Sequence, residues 1–187
     1  MNNVKEFFQN SLKQYKDEAK AVGWGSKESQ EVRFDVLIDI GTINKETILD
    51  VGCGLGDFYG YLEDNTVKYT GYDILEEMIS AAKKKYPKVE FTTEFPDKKF
   101  DYVFASGVFN IDTPKLEKIR RKMIYKMWEH CNVGMAVNFL SVYAKNKNNI
   151  SYYTDPIEII KYISLLTNKW VVRHDYKEND FTIYAYR

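Results

Sequence analysis

The sequence predicts one α/β domain: a mostly parallel sheet with helices on both faces and an antiparallel hairpin at the C-terminal end. Three observations predict it. The run Ile48-Leu49-Asp50-Val51 is short and apolar, as a strand buried on both faces must be, and it passes through Gly52, Gly54 and Gly56 into Phe58-Tyr59-Gly60-Tyr61-Leu62, which can open a helix. A second strand, Lys68-Tyr69-Thr70-Gly71-Tyr72, ends in an acid, Asp73. From there to residue 166, apolar strands alternate with segments of helical period, which is the pattern of βαβ units.

Taken in order, the chain opens with Val4, Phe7, Phe8, Leu12, Tyr15 and Ala19 at the spacing of an amphipathic helix over residues 4–20. Gly23-Trp24-Gly25 interrupts it. Ser26 then starts a second helix that buries Val32, Phe34, Leu37 and Ile38 and stops near Gly41. Residues 1–41 thus form a helical cover on a single domain spanning 1–187. The glycine turn after Val51 lets a ligand approach the backbone, because no Cβ stands in the way, and the helix behind it offers unpaired N–H groups to something electronegative. The spacing is Gly-x-Gly-x-Gly; position 57 is Asp, so the dinucleotide pattern Gly-x-Gly-x-x-Gly is not met. An acid at the end of the second strand is where a βαβ nucleoside site holds ribose hydroxyls.

A helix from Ile74 runs to about Tyr86, where Pro87 stops it, and Val89-Glu90-Phe91-Thr92 makes the third strand. Phe100–Ala105 is the fourth. Ser106-Gly107-Val108-Phe109-Asn110 follows at its C-terminal end, the edge where open parallel sheets bind ligands. Asp112-Thr113-Pro114 predicts a helix start, with a cap at Asp112 or Thr113 and proline in the first turn. That helix carries a basic cluster from Lys115 to Lys126, read as a solvated face, and His130 near its end suits the helix dipole. Gly134–Leu140 is the fifth strand. The polar, then aromatic, stretch 144–155 is the longest loop of the second half, and such loops over a sheet edge commonly carry substrate contacts. Pro156–Leu166 is a helix. Trp170–Tyr176 and Phe181–Tyr186, joined by a short polar turn, make the hairpin.

As a set, Asp50-Val51-Gly52-Cys53-Gly54-Leu55-Gly56, Gly71-Tyr72-Asp73-Ile74 with Met78, and Phe100-Asp101-Tyr102-Val103-Phe104-Ala105-Ser106 resemble the Rossmann-like class I S-adenosylmethionine (SAM) dependent methyltransferases, over about residues 47–140. The resemblance implies a sheet order 3-2-1-4-5-7-6, SAM as cofactor and S-adenosylhomocysteine (SAH) as product. It implies that Gly52, Cys53, Gly54 and Gly56 admit the cofactor, while Asp50 orients the loop or takes the methionine amine through water. Asp73 would hold the ribose. Ile74 and Met78 would pack on adenine, with Glu94 and Phe95 flanking it, although the usual Asp is missing there. Ser106 and Gly107 would offer backbone groups near the methionine moiety. Arg33 would pair with the methionine carboxylate, or else be a solvated helix residue. Phe109, Asn110 and Tyr143 would face the acceptor, with Trp24 over SAM or substrate as part of the cover. No catalytic base is assigned: the sulfonium already carries a leaving group, so the protein need only align the acceptor.

Bulk composition narrows the function. Lys plus Arg and Asp plus Glu both number 27, so no overall charge pulls the chain toward nucleic acid or an anionic membrane. The motifs of DNA amino-methylating and pyrimidine C5 enzymes are absent after the fourth strand. Hydrophobic residues make up 44%, enough for a substantial core. Cys53 and Cys131 form no CxxC pair and no Cys/His cluster, so no metal site is expected and the free thiols fit a reducing, cytoplasmic setting. No apolar run reaches membrane-spanning length, and the N-terminus does not read as a signal peptide. The reading is a cytoplasmic methyltransferase for a small-molecule acceptor. A SAM-binding protein without transferase activity, or an enzyme acting on protein or RNA, is the alternative.

Overall fold

The computed structural model describes residues 26–62 and 66–187. Helix α1 (Lys27–Ile38) is capped by Ser26, whose side-chain oxygen accepts from the Ser29 N–H at 3.2 Å. Strand β1 (Thr47–Val51) leads through the glycine turn into the short α2 (Asp57–Tyr61). Then come β2 (Lys68–Tyr72), α3 (Glu76–Lys85), β3 (Glu90–Thr92) and β4 (Phe100–Ala105). Helix α4 (Leu116–His130) runs directly into β5 (Cys131–Leu140). The chain closes with α5 (Pro156–Ile163), β6 (Trp170–Arg173) and β7 (Asp180–Tyr186).

The seven strands form one sheet in the order β3-β2-β1-β4-β5-β7-β6, the order the resemblance implies. Pairings from β3 to β5 are parallel, while β7 lies antiparallel to both β5 and β6. Side chains alternate between two cores with the period of a strand. Leu49 and Val51 of β1, Val103 and Ala105 of β4, and Phe181 and Ile183 of β7 pack with Ile124, Met127 and Trp128 of α4. Their neighbours Ile48, Phe104 and Tyr184 pack on the other face with Phe34 and Leu37 of α1 and Ile79 and Ala82 of α3. Burial on both faces is why these strands read as continuous apolar runs.

Several boundaries differ from the sequence expectation: β5 begins at Cys131 instead of Gly134, α5 ends at Ile163 instead of Leu166, and α4 and β6 differ as well. Residues Asp112, Thr113 and Pro114 do not begin α4. The helix starts at Leu116, after Lys115 in the left-handed region at φ 65°. Tertiary pairing overrides the cap signal: the Ile150 carbonyl accepts from the Asp112 N–H at 3.4 Å, and Ile111 bridges Ser151. The segment before the helix is thereby held on the 142–155 loop. The hairpin strand β6 also ends at Arg173, short of Tyr176.

Long-range polar contacts lock α1 and the 142–155 loop onto this frame. Arg33 of α1 grips Asp180 of β7 through Nε at 2.9 Å and Nη2 at 2.7 Å to each carboxylate oxygen, both side chains being buried. Arg120 of α4, fully buried, donates to Glu158 at 2.7 Å and to the Thr154 hydroxyl at 3.0 Å. Removing one partner of a buried pair leaves an uncompensated charge, at a cost of roughly 3–5 kcal/mol.

Candidate active site

A cavity of about 590 Å³ opens at the C-terminal ends of β1, β2 and β4. The chain order reverses between β1 and β4, and such a switch point is where open α/β sheets place ligands. Its first wall is the glycine turn. Gly52, Gly54 and Gly56 have φ of 75°, 53° and 79°, a region that L side chains rarely enter. At Gly52 a Cβ would also stand 2.4 Å from Val108 Cγ2, so the turn closes on the loop after β4 only with glycine there. The N–H groups of Gly52 and Cys53 both donate to the Tyr72 carbonyl, at 2.7 and 3.1 Å, which hangs the turn on the end of β2.

Asp73 is held in place by the same geometry. Its Oδ2 accepts from the Gly54 N–H at 3.1 Å and its Oδ1 from the Leu75 N–H at 2.9 Å. Each carboxylate oxygen keeps a further lone pair for a ligand. Desolvation raises its pKa, and the backbone N–H donors oppose that rise. Asp50 lies deeper. It is 3% exposed, and the Tyr69 hydroxyl donates to its Oδ2 at 2.5 Å. Burial lifts the Asp50 carboxyl to about 7, the Tyr69 bond working against that shift. Burial likewise raises the Cys53 thiol far above its ordinary value, so Cys53 is an inert wall residue.

The loop after β4 forms the facing wall. Asn138, 1% exposed on β5, accepts from the Gly107 N–H at 2.8 Å and donates to the Ser106 hydroxyl at 3.0 Å. One buried amide therefore fixes the turn that carries Ser106, Gly107, Phe109 and Asn110 to the cavity. Helix α1 contributes Gln30 and Phe34, and the Gln30 side chain donates to Asp57 at 3.3 Å. The Lys85 ammonium also reaches Asp57, at 2.9 Å.

Of the residues singled out in the sequence, Asp50, Gly52, Cys53 and Gly54 line the cavity, as do Asp73, Ile74 and Met78. So do Ser106, Gly107, Phe109 and Asn110. Gly56 instead caps α2 in the left-handed region, behind the wall. Arg33 stands apart from the lining, committed to Asp180. Phe95 is drawn toward the end of α4: its ring meets Tyr72 at 5.1 Å and His130 at 5.0 Å, with the Lys126 ammonium 4.0 Å above it. The Glu94 N–H donates to Thr92 Oγ1 at 3.0 Å in an exposed turn outside the lining. Tyr143 is 65% exposed, because a turn built on Ser141 points it outward. Trp24 lies outside the described residues. The sequence reading did not assign Gln30 to the site, took Phe34 only as a buried helix residue, and did not give the site the α4 wall of Leu116, Ile119 and Met123. It named the 144–155 loop as a whole, and Asn146, Asn148, Ile150, Ser151 and Tyr153 of that loop line the far end. Among the described residues no cluster of His, Cys, Asp or Glu could hold a metal ion, and no helix is long and apolar enough to cross a membrane.

A family model described as a methyltransferase domain matches residues 48–127. Rv1506c of Mycobacterium tuberculosis, a protein named as a methyltransferase, is 31% identical over 150 residues, which span 73% of this chain and 90% of that protein. The demethylmenaquinone methyltransferase of Chlorobaculum parvum is 44% identical over 65 residues, 34% of this chain and 26% of that one. Among solved structures, the magnesium protoporphyrin IX methyltransferase of Synechocystis PCC 6803 with bound SAH matches with a TM-score of 0.71 at 16% identity, over 100% of this chain and 98% of that one. A TehB-like SAM-dependent methyltransferase from Corynebacterium glutamicum matches at 0.66 and 15%, over 96% and 98%. The structural likenesses establish the fold, and the mycobacterial relative establishes the family. The chain belongs to the methyltransferase family and has the Rossmann-like fold of its class I, SAM-dependent branch.

Proposed function

We propose that the chain binds SAM in this cavity and transfers its methyl group to a small-molecule acceptor seated beyond Ser106–Asn110. The observation that carries the reading is the continuity of the cavity. It runs from a turn whose lining glycines adopt positive φ, past an anchored carboxylate, to an apolar end walled by α4 and the 142–155 loop. The residues present fit a nucleoside joined to an amino acid. Gly52 and Gly54 leave the backbone bare. Asp73 offers the remaining lone pairs of its carboxylate to vicinal hydroxyls, and Ile74, Leu75 and Met78 offer apolar surface beside it. Asp50 sits under the turn as a carboxyl that a nearby cationic amine would hold ionised.

Held by Gly52, Gly54 and Asp73, SAM would supply a methyl group activated on a sulfonium, ready for transfer to an acceptor lone pair with SAH as the product. The chain's share is orientation and exclusion of water. Asn138 sets the Ser106–Gly107 turn, Phe109 stacks on Phe139 at 5.9 Å as a rigid floor, and α1 covers the turn with Gln30 and Phe34. Walls supplied by the 142–155 loop favour a small acceptor over a polymer. Two buried free thiols, Cys53 and Cys131, favour a reducing compartment such as the cytoplasm.

Titration calorimetry of the full chain with SAH, SAM and NAD is the test. SAH and SAM should bind and NAD should not. Gly54→Val should abolish SAH binding in a folded protein, since it puts a β-branched side chain at a cavity-lining φ of 53°. Equal SAH affinity in a folded Gly54→Val protein overturns the assignment.

A further inference from the structure

The far end of the cavity has a chemistry of its own. Its walls are Phe109, Ile111, Leu116, Ile119, Met123 and Leu140, all apolar. Its polar groups are amides and hydroxyls from Asn110, Thr113, Asn146, Asn148, Ser151 and Tyr153. The formal charges among the described lining residues are all carboxyls, Asp50, Asp57 and Asp73, and they cluster at the glycine-turn end. An anion entering here meets apolar walls and negative charge. It would lose its hydration with no cation among the described lining residues to replace it, the Lys147 ammonium standing 5.5 Å over the Tyr153 ring outside that lining.

The asparagines show which polar group the site presents. Asn110 Oδ1 accepts from the Leu140 N–H at 3.0 Å, which fixes the amide's orientation. Its NH2 group makes no hydrogen bond to any described residue, while the residue itself lines the cavity. Asn148 repeats the arrangement. Its Oδ1 accepts from the N–H groups of Ile150 at 3.0 Å and Ser151 at 2.8 Å. Its backbone N–H donates to the Tyr153 hydroxyl at 3.0 Å. In both side chains the carbonyl oxygen serves the protein and the NH2 bonds no described residue, Asn110 being half-buried and Asn148 exposed at the rim.

We infer, on the footing of the cofactor reading above, that the acceptor is a neutral, largely apolar small molecule whose oxygen is held by the Asn110 NH2 group at the mouth and by that of Asn148 at the rim. Apolar walls supply most of the contact area, and the two donors choose the orientation. Carboxylated and phosphorylated analogues are rejected by the absence of a compensating cation among the described lining residues and by the carboxyls at the other end.

The test uses the full chain saturated with SAH and two matched probes, 2-naphthol and 3-hydroxy-2-naphthoate, with binding followed by NMR line broadening and by competition between them. The neutral probe should bind at least tenfold more tightly than the carboxylated one. Asn110→Asp keeps an oxygen for the Leu140 N–H but replaces the donor by an acceptor, so it should weaken 2-methoxynaphthalene, a third probe whose oxygen can only accept, at least tenfold. Met123→Lys places a cation in the wall and should bring the carboxylated probe to parity or better. The inference is overturned if 2-naphthol fails to bind, if 2-naphthol and 3-hydroxy-2-naphthoate bind equally to the native chain, or if Asn110→Asp leaves 2-methoxynaphthalene unaffected. The SAH titration is read separately. Failure there rejects the cofactor reading, whereas failure of the probe series with SAH bound rejects the acceptor inference alone.

Discussion

Asp73 ties two loops together with the same carboxylate that the cofactor reading assigns to the ribose. Its oxygens tie the Gly54 N–H to the Leu75 N–H, and the same oxygens are the ones a ribose would use. The tie between two loop N–H groups and the proposed ribose contact thus fall on the same group, and Asn cannot imitate it. An amide has one acceptor oxygen, so its NH2 must face either the Gly54 or the Leu75 N–H. Hydrogen bonds to a charged group contribute about 1.5–3 kcal/mol, and 1.4 kcal/mol is a factor of ten in affinity. Asp73→Asn should therefore weaken SAH binding roughly tenfold to a hundredfold and lower the stability of the ligand-free protein by about 1–2 kcal/mol. Calorimetry beside urea unfolding checks both, and native SAH affinity in Asp73→Asn and Asp73→Ala would remove the ribose role. Asp50 makes a prediction in pH. Its folded carboxyl titrates near 7 against an ordinary value of 3.8, so the folded state holds the proton more tightly than the unfolded one. The stability this gives is complete below about pH 4 and is lost as the pH rises through about 7. Asp50→Asn keeps an oxygen for the Tyr69 hydroxyl and has no proton to lose. Measured by urea midpoints, the variant should gain on the native chain by on the order of 2 kcal/mol between pH 5 and pH 8; a difference constant with pH refutes it.

The elements were legible in the sequence to the extent that their causes are local. Apolar runs gave the strands, glycines and Pro87 gave the breaks, and the acid after β2 marked the ligand edge. What the sequence could not carry was non-local pairing. The N-terminus of α4 looks capped by Asp112 or Thr113, yet residues 110–112 pair with 150–152 instead, and the helix waits until Leu116. Arg33 looks like a ligand for a carboxylate and is one, but the carboxylate is Asp180, 147 positions along the chain. The two readings of Arg33 separate cleanly. As the clamp of α1 on β7, Arg33→Met should cost roughly 3–5 kcal/mol of stability, with Asp180 left buried and unpaired, and Asp180→Leu in the same chain should recover much of that loss. As a cofactor ligand it would leave the unfolding midpoint almost unchanged and lower SAH affinity directly. Urea denaturation of the single and double variants, each also titrated with SAH, decides which.

At the scale of the whole molecule, the cavity joins two constructions of different character. The glycine-turn end is built from strand ends and backbone hydrogen bonds within the parallel half of the sheet. The far end is built from α4 and the 142–155 loop, and Arg120 holds these together. Its guanidinium, wholly buried, donates to Thr154 and Glu158 and lies 5.6 Å over the Tyr152 ring, while its Nε is buried without a partner. Such a group holds by geometry more than by net energy, because desolvating it offsets much of what its ion pair returns. Its position predicts a control of the far end separate from the glycine-turn end. Arg120→Met keeps the apolar stem and removes the three contacts, so residues 150–155 should loosen while the Gly54–Asp73 region stays as it is. Hydrogen exchange should rise at the amides of Tyr152 and Thr154, whose protection comes from bonds to Asn110 and Leu140. SAH affinity should remain within about twofold, and overall stability should fall by roughly 3 kcal/mol. Exchange that rises equally around Gly52–Leu55, or a parallel loss of SAH binding, would show that the two ends are one cooperative unit and that Arg120 does not govern the acceptor end separately.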